Sequence, residues 1–280
     1  MPRSGDPRPI GVFDSGVGGL TVLAELRRRL PNEATLYLGD NARTPYGPRP
    51  ADEVRRFTLQ AVDWLLAQDV KLLVLACNTA TARALPDVRA RSSVPVIGVV
   101  RPGAVSAAAA TRSRRVGVIA TAGTVESGAY HDAIVEADPA ISVAQMACPE
   151  LVPMVEAGIL DGRRAETVLR AYLEPLLAEH GGMDTLLLGC THYPLLRRPI
   201  EEIVGSHVAV VDSAFTTALA VEDLLDALDA RAPEGTRATH RVVTTGDVDA
   251  FVTVAARLFG QELPAVESVA IEASAAVPVD

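Results

Sequence analysis

The stretch LLVLACNTA (Leu72–Ala80) decides how this chain is read. A second stretch, TLLLGCTHY (Thr185–Tyr193), lies over it with Cys77 falling on Cys190 at an offset of 113. Each begins as a continuous apolar run without alternation, as expected of a strand buried on both faces in a parallel sheet. Each ends in a cysteine followed at once by polar residues, Asn78 and Thr79 in one, Thr191 and His192 in the other. In α/β sheets ligands gather beyond the carboxyl ends of the strands. Both cysteines therefore stand where chemistry is expected.

Working outward, the correspondence extends. The same offset lays VPVIGVV (Val94–Val100) over HVAVVDS (His207–Ser213), and IGVFDSGVG (Ile10–Gly18) aligns with VGVIATAGT (Val116–Thr124) at an offset of 106. Two more apolar runs, ATLYLGD (Ala34–Asp40) and ISVAQMA (Ile141–Ala147), complete a series of eight. Segments with helical spacing lie between them. In ADEVRRFTLQAVDWLLAQ (Ala51–Gln68), Val54, Phe57, Ala61, Leu65 and Leu66 mark one apolar face. LTVLAELRRRL (Leu20–Leu30) and RRAETVLRAYLEPLLAEH (Arg163–His180) read the same way. Strands alternating with amphipathic helices give an α/β fold with parallel sheets. The offsets predict two pseudo-symmetric α/β half-units, the second about seven residues longer, with the site in the cleft between them. Duplication and the ordinary likeness of βαβ units both account for the match. From about Ser268 a short strand and a loose tail are expected.

Composition narrows the function. The chain has 280 residues, nearly half of them apolar, and a formal charge of −9. That acidity argues against broad nucleic-acid binding, and the run Arg27–Arg29 reads as the solvated side of a helix. No segment approaches the roughly 18 consecutive apolar residues of a membrane span, and the first residues lack an apolar stretch of signal-peptide length. The three cysteines, Cys77, Cys148 and Cys190, are odd in number and form no CxxC. Neither a disulfide framework nor a zinc site is indicated, and a reducing cytoplasm is the expected compartment.

Two readings of Cys77 and Cys190 compete. As isolated residues they are small buried hydrophobes. As a matched pair, each with polar neighbours, they are two thiols sent from two half-units into one cleft. His192 stands ready as a base for Cys190, while Cys77 has no such sequence neighbour. Inverting a carbon centre needs a base on one face and an acid on the other. Thiols within roughly 3–3.5 Å of the reacting carbon or its proton's path, about 6–8 Å from each other, meet that need. A free thiol ionises near 8.5, so a helix N-terminus after each cysteine is expected to favour the thiolate. Asn78, Thr79 and Thr191 supply hydrogen-bond donors for a carboxylate at the same corners.

No cofactor is indicated. The one lysine, Lys71, lies at the start of the strand that ends in Cys77, far from the expected site, which argues against a pyridoxal Schiff base. DSGVGGLT (Asp14–Thr21) lacks the spacing and lysine of a phosphate loop, and Thr21 stands where the dinucleotide pattern needs a third glycine. Its glycines suggest close approach of backbone to a small ligand.

Five motifs in order, GVFDSGVGGLTV, YLGDNARTPYG, LACNTATA, CPELVPMVEAG and LLLGCTHYPLL, together resemble glutamate racemase. TTGDVDAFVTVAARLFG (Thr244–Gly260) resembles the family's C-terminal segment. The resemblance implies one domain from residues 1–99 plus 212–280, a second from 100–211, and the active site between them. It implies cofactor-independent interconversion of L- and D-glutamate by two-base proton transfer at Cα, supplying D-glutamate for peptidoglycan, in a cytoplasmic homodimer without nucleic-acid or membrane partners. Cys77 matches the thiol acting on D-glutamate and Cys190 the one acting on L-glutamate. Asp14, His192 and Glu156 match residues that tune the thiols. Asp14, Ser15, Tyr46, Gly47, Asn78, Thr79, Thr191 and His192 match substrate-binding positions, joined by Thr121 from the second unit.

Plainer readings stand beside these. Tyr46 and Gly47 also suit a proline-initiated turn, Asp14 a cap, Glu156 an exposed helix position, and Cys148, before Pro149, a structural place. Two other functions fit the same residues: an aspartate racemase or related two-cysteine enzyme, and a non-catalytic protein-binding regulator on the same fold.

Overall fold

The computed structural model describes residues 5–260, 263 and 265–271. Its strands are β1 (Ile10–Asp14), β2 (Thr35–Gly39), β3 (Leu72–Leu75), β4 (Val96–Gly98), β5 (Arg115–Ala120), β6 (Ser142–Ala147), β7 (Thr185–Gly189), β8 (Ala209–Asp212), β9 (His240–Thr244) and β10 (Val266–Ser268). The first eight coincide with the eight apolar runs, β5 starting one residue earlier at Arg115. Its helices are α1 (Leu20–Arg29), α2 (Ala51–Leu66), α3 (Asn78–Arg91), α4 (Val100–Ala110), α5 (Ala122–Glu126), α6 (Ala129–Ala137), α7 (Leu151–Glu156), α8 (Gly162–Glu179), α9 (Arg197–Val204), α10 (Ser213–Ala227) and α11 (Val248–Phe259).

All strands run parallel in two sheets. One has the order β10-β9-β2-β1-β3-β4, the other β6-β5-β7-β8. The run β2-β1-β3-β4 of the first is thus repeated as β6-β5-β7-β8 in the second. Register makes the repeat quantitative: Ile10 pairs with Thr35 and Leu72, while Val116 pairs with Val143 and Thr185. The offset grows from 106 at the first strand to 108 at the second and 113 at the third. Most of the extra chain therefore enters the crossover that carries α7 and α8.

Helices cover the sheets as the apolar stripes require. On α2, Val54, Ala61, Val62 and Leu65 are buried, with Thr58 among them, its hydroxyl bonded back to the Val54 carbonyl. α10 packs on α1 and on α4, and α4 packs on α6, β7 and β8, so α10 bridges the halves. The largest apolar cluster accordingly includes Leu23 beside the first sheet, Leu188 within the second, and Ala218 on α10.

Two differences from the sequence reading concern the C-terminal part. β9 extends the first sheet beside β2; its sequence HRVVT has only three buried positions, and no apolar run announces it. The expected terminal strand lies slightly earlier, at Val266–Ser268, and the tail from residue 272 falls outside the described residues.

A buried charge pair ties the end of the first sheet remote from the cysteines. Lys71, about 1% exposed, pairs with Glu33 at 2.6 Å and donates to the carbonyls of Asp6 and Ala230 at 2.7 and 2.8 Å. Glu33 also accepts the Ala232 N–H at 2.8 Å. The pair joins the N-terminal segment, β3 and the chain after α10. Removing one partner from such a pair typically costs about 3–5 kcal/mol.

Candidate active site

A cavity of about 160 Å³ lies where the carboxyl ends of both sheets converge. Its walls are Ser15 after β1, Thr44–Pro48 after β2, Cys77–Thr79 after β3, Thr121 and Ala122 after β5, Cys148, Pro149, Val152 and Pro153 after β6 and at α7, and Cys190–His192 after β7. The volume equals that of about five waters. Two larger depressions, about 660 and 650 Å³, lie on the outside, between α4 and α10 and between α8 and α9. Neither contains a cysteine, so the smaller cavity is where the thiols can act.

In the first half, β3 stops at Leu75 and Cys77 becomes the N-cap of α3, its Sγ accepting the Ala80 N–H at 3.4 Å. The thiol also reaches Ser15 Oγ at 3.4 Å. This is the helix N-terminus that should favour a thiolate, yet the pKa moves the other way. Burial, reinforced by the nearby Asp14 carboxylate, pushes the Cys77 thiol up to about 12, against the opposing hydrogen bonds from Ser15 and Ala80. The magnitudes explain the outcome: a cap contributes about 0.5–2 kcal/mol, whereas taking a charge out of water costs several. Asp14 is itself buried, with its pKa raised by desolvation, and its Oδ2 accepts the Gly16 N–H at 2.9 Å.

In the second half, Cys190 follows β7 but does not cap an α-helix; a 3-10 turn, Tyr193–Leu196, intervenes before α9. Its partner is a side chain instead. His192 Nδ1 stands 3.9 Å from Cys190 Sγ, and Nε2 stands 3.1 Å from Glu156 Oε1 at the end of α7. Burial opposes the imidazolium, but the hydrogen bonds to Cys190 and Glu156 prevail and raise its pKa to about 10. At neutral pH a cation therefore faces Cys190. Arg257 of α11 donates to the Glu156 carbonyl at 2.9 Å and so ties α7 to the first half.

The two halves meet around the cavity through matched polar contacts. Thr79 Oγ1 lies 2.9 Å from Thr121 Oγ1, and the Gly123 N–H donates to the Gly47 carbonyl at 3.0 Å. The phenol of Tyr130 on α6 donates to Asn78 Oδ1 at 2.6 Å. The glycine-rich turn after β1 packs closely against the other half of the protein. A Cβ at Gly18 would lie 2.5 Å from His192 Nδ1 and from Thr191 Oγ1. The turn lets backbone approach the other half of the protein, with Thr21 Oγ1 bonding to the Thr191 carbonyl at 3.1 Å.

The sequence and fold that build this cavity are matched by known proteins. The sequence profile of the Asp/Glu/hydantoin racemase family covers residues 10–222. The chain belongs to that family. A glutamate racemase from Oceanobacillus iheyensis is 48% identical over 252 residues, covering 90% of this chain and 92% of its own. Among solved structures, glutamate racemase from Thermus thermophilus in complex with beta-chloro-D-alanine has a TM-score of 0.87 at 47% identity, covering 96% of this chain and all of that one. Glutamate racemase from Francisella tularensis in complex with D-glutamate has a TM-score of 0.89 at 33% identity, covering 96% of this chain and all of that one. The protein is thus an amino-acid racemase, with the two-sheet α/β fold of the glutamate racemases.

Within this racemase, Ser15, Tyr46, Gly47, Cys77, Asn78, Thr79, Thr121, Cys190, Thr191 and His192 all line the cavity. Asp14 and Glu156 do not; they stand one layer behind, Asp14 under the glycine turn and Glu156 on His192. Tyr46 contributes its wall but not its hydroxyl, which donates to the buried Asp40 carboxylate. Cys148, which the sequence suggests is structural, also lines the cavity, and burial raises its thiol to about 12. Tyr130 carries no sequence signal, because α6 reads as an ordinary short amphipathic helix. Among the described residues no helix is long and apolar enough to cross a membrane.

Proposed function

We infer that this chain interconverts L- and D-glutamate by a two-base mechanism, with Cys190 and Cys77 on opposite faces of Cα. The observation that carries the mechanism is the convergence of both thiols on one small cavity, each in a different electrostatic setting. The choice of glutamate rests on relatives of that name over nine-tenths of the chain.

In the L-to-D direction, Cys190, facing the His192 imidazolium, removes the α-proton of L-glutamate. The electron pair left on Cα spreads into the α-carboxylate. Cys77, whose high pKa keeps its proton at neutral pH, delivers that proton to the opposite face. The product is D-glutamate, with the proton now on Cys190 and the charge on Cys77. The reverse reaction starts from that second state. The Asn78 amide, the Thr79 and Thr191 hydroxyls and the threonine cluster with Thr121 are the donors available to the carboxylates. They are fixed by the fold before substrate arrives, so they stabilise developing charge with little reorganisation.

The test is incubation of L-glutamate or L-aspartate with the purified protein in D₂O, without added cofactor. Glutamate should lose optical rotation and gain one deuterium at Cα, with aspartate turned over far more slowly. Turnover of aspartate alone would move the specificity assignment, and inertness toward both would favour a binding protein on this fold.

A further inference from the structure

We propose that Tyr130 is a positioning residue: its phenol fixes the side-chain amide of Asn78 so that the NH₂ group, and not the carbonyl oxygen, meets the substrate carboxylate. The proposal rests on the reading of Asn78 as a carboxylate donor given above. Tyr130 comes from α6 in the second half, and Asn78 opens α3 in the first.

An asparagine amide is symmetric in shape and opposite in polarity at its two ends. Something must choose which end faces the cavity. The Tyr130 hydroxyl is fully buried and lies 2.6 Å from Asn78 Oδ1. The side chain of Ser213, the first residue of α10, stands beside the same phenol: Ser213 Cβ and the phenol oxygen both lie 3.2 Å from where a Cβ on Gly103 would be. A serine hydroxyl and a phenol each carry one proton. On this proposal the Ser213 hydroxyl donates to the phenol oxygen, which directs the phenol proton to Asn78, and only the carbonyl end of the amide can accept it. The NH₂ end is then turned the other way. Asn78 Nδ2 is buried and has no partner among the described residues, on a side chain that lines the cavity. An unpartnered buried donor is costly unless a ligand completes it, and an anionic oxygen is the complement of an amide N–H.

The placement of the ring is specific. A Cβ at Gly189 would lie 2.8 Å from Tyr130 Cε2, and one at Gly103 would lie 3.2 Å from the phenol oxygen. Two glycines thus leave room for a tyrosine whose hydroxyl crosses to the other half. Without that proton the amide is free to turn its oxygen toward the carboxylate, which is a repulsive contact.

A double-mutant cycle on glutamate racemisation tests this. Tyr130→Phe should raise KM for both enantiomers by about tenfold, the scale of one neutral hydrogen bond, with kcat changed much less. Asn78→Ala should raise KM by at least as much, and Tyr130→Phe should add nothing in the Asn78→Ala background. Independent, additive effects would overturn the proposal, because a merely structural phenol would act with or without the amide. Ser213→Ala keeps the ring and removes only the orienting donor. It should raise KM by about two- to threefold; should Tyr130→Phe fail to fold, an unchanged KM in Ser213→Ala overturns the proposal. A wild-type chain inert on glutamate, or an Asn78→Ala chain with unchanged KM, would sink the reading of the site and this role with it. A working wild type with additive variants would sink the role of Tyr130 alone.

Discussion

The ends of β3 and β7 are the same piece of architecture with different chemistry. At the offset that superposes Cys77 on Cys190, Asn78 falls on Thr191 and Thr79 on His192. The first thiol is capped by backbone, touched by Ser15 and shadowed by a buried carboxylate. The second faces an imidazole backed by a glutamate. One end holds a proton firmly, and the other has a counter-charge beside it. On the two-base reading proposed above, a symmetric scaffold presents an acid to one face of a carbon and a base to the other. Mirror-image substrates have equal free energy in water, so kcat/KM must be the same in both directions. The asymmetry of the halves can show only in kcat and KM separately.

The largest effect should come from deleting either thiol. Cys77→Ala and Cys190→Ala should each lower racemisation by roughly 10³-fold, within the range of general acid–base catalysis. They should differ in what they retain. Cys77→Ala keeps the Cys190 base and should still exchange the α-hydrogen of L-glutamate slowly with D₂O, whereas Cys190→Ala should exchange that of D-glutamate. Proton NMR reads both. Sustained inversion in either variant would break the two-base scheme, and the opposite enantiomer preference would swap the faces.

The next effect belongs to the feature that makes the halves unequal. His192→Gln should lower kcat by about 10²-fold and alter the pH profile. The imidazolium persists until about pH 10, so wild-type kcat/KM should fall as pH rises through that value, and the variant should lose this limb. Stability carries the same signature. A raised folded-state pKa stabilises fully below the ordinary histidine value of 6.5 and progressively less up to about 10. The gap in melting temperature between wild type and variant should therefore shrink across that window. A gap that widened with pH would contradict a protonated His192.

The smallest effect tests how tightly one half supports the other. Gly18→Ala places a methyl 2.5 Å from the imidazole of His192. The ring must shift, and kcat should fall by about tenfold while KM moves little. A wild-type kcat would mean that His192 need not be held in place.

Much of this was legible in advance because parallel strands are short, continuous and apolar. Eight such runs located eight strands, and the residues just after them located most of the cavity wall. β9 was missed because it begins with His240 and Arg241 and only its last three residues are buried. The elevated Cys77 pKa was missed for a physical reason: a cap is local and readable, while desolvation depends on everything that folds around it. Contacts across the halves were equally hidden. Gly18 against His192 and Tyr130 against Asn78 join residues far apart in the chain. Sequence offers no period or spacing by which to find them. Cys148 looked structural because nothing near it hints that the β6 end turns toward the other two thiols.

The burial of Lys71 has a practical corollary. The chain has a single lysine, and the folded protein spends its ammonium on Glu33 and two carbonyls. Acylating reagents therefore find no lysine side chain on the native surface, and modification at Lys71 becomes a clock for opening of the first sheet. Immobilisation or dye labelling through lysine would select for molecules that have already come apart.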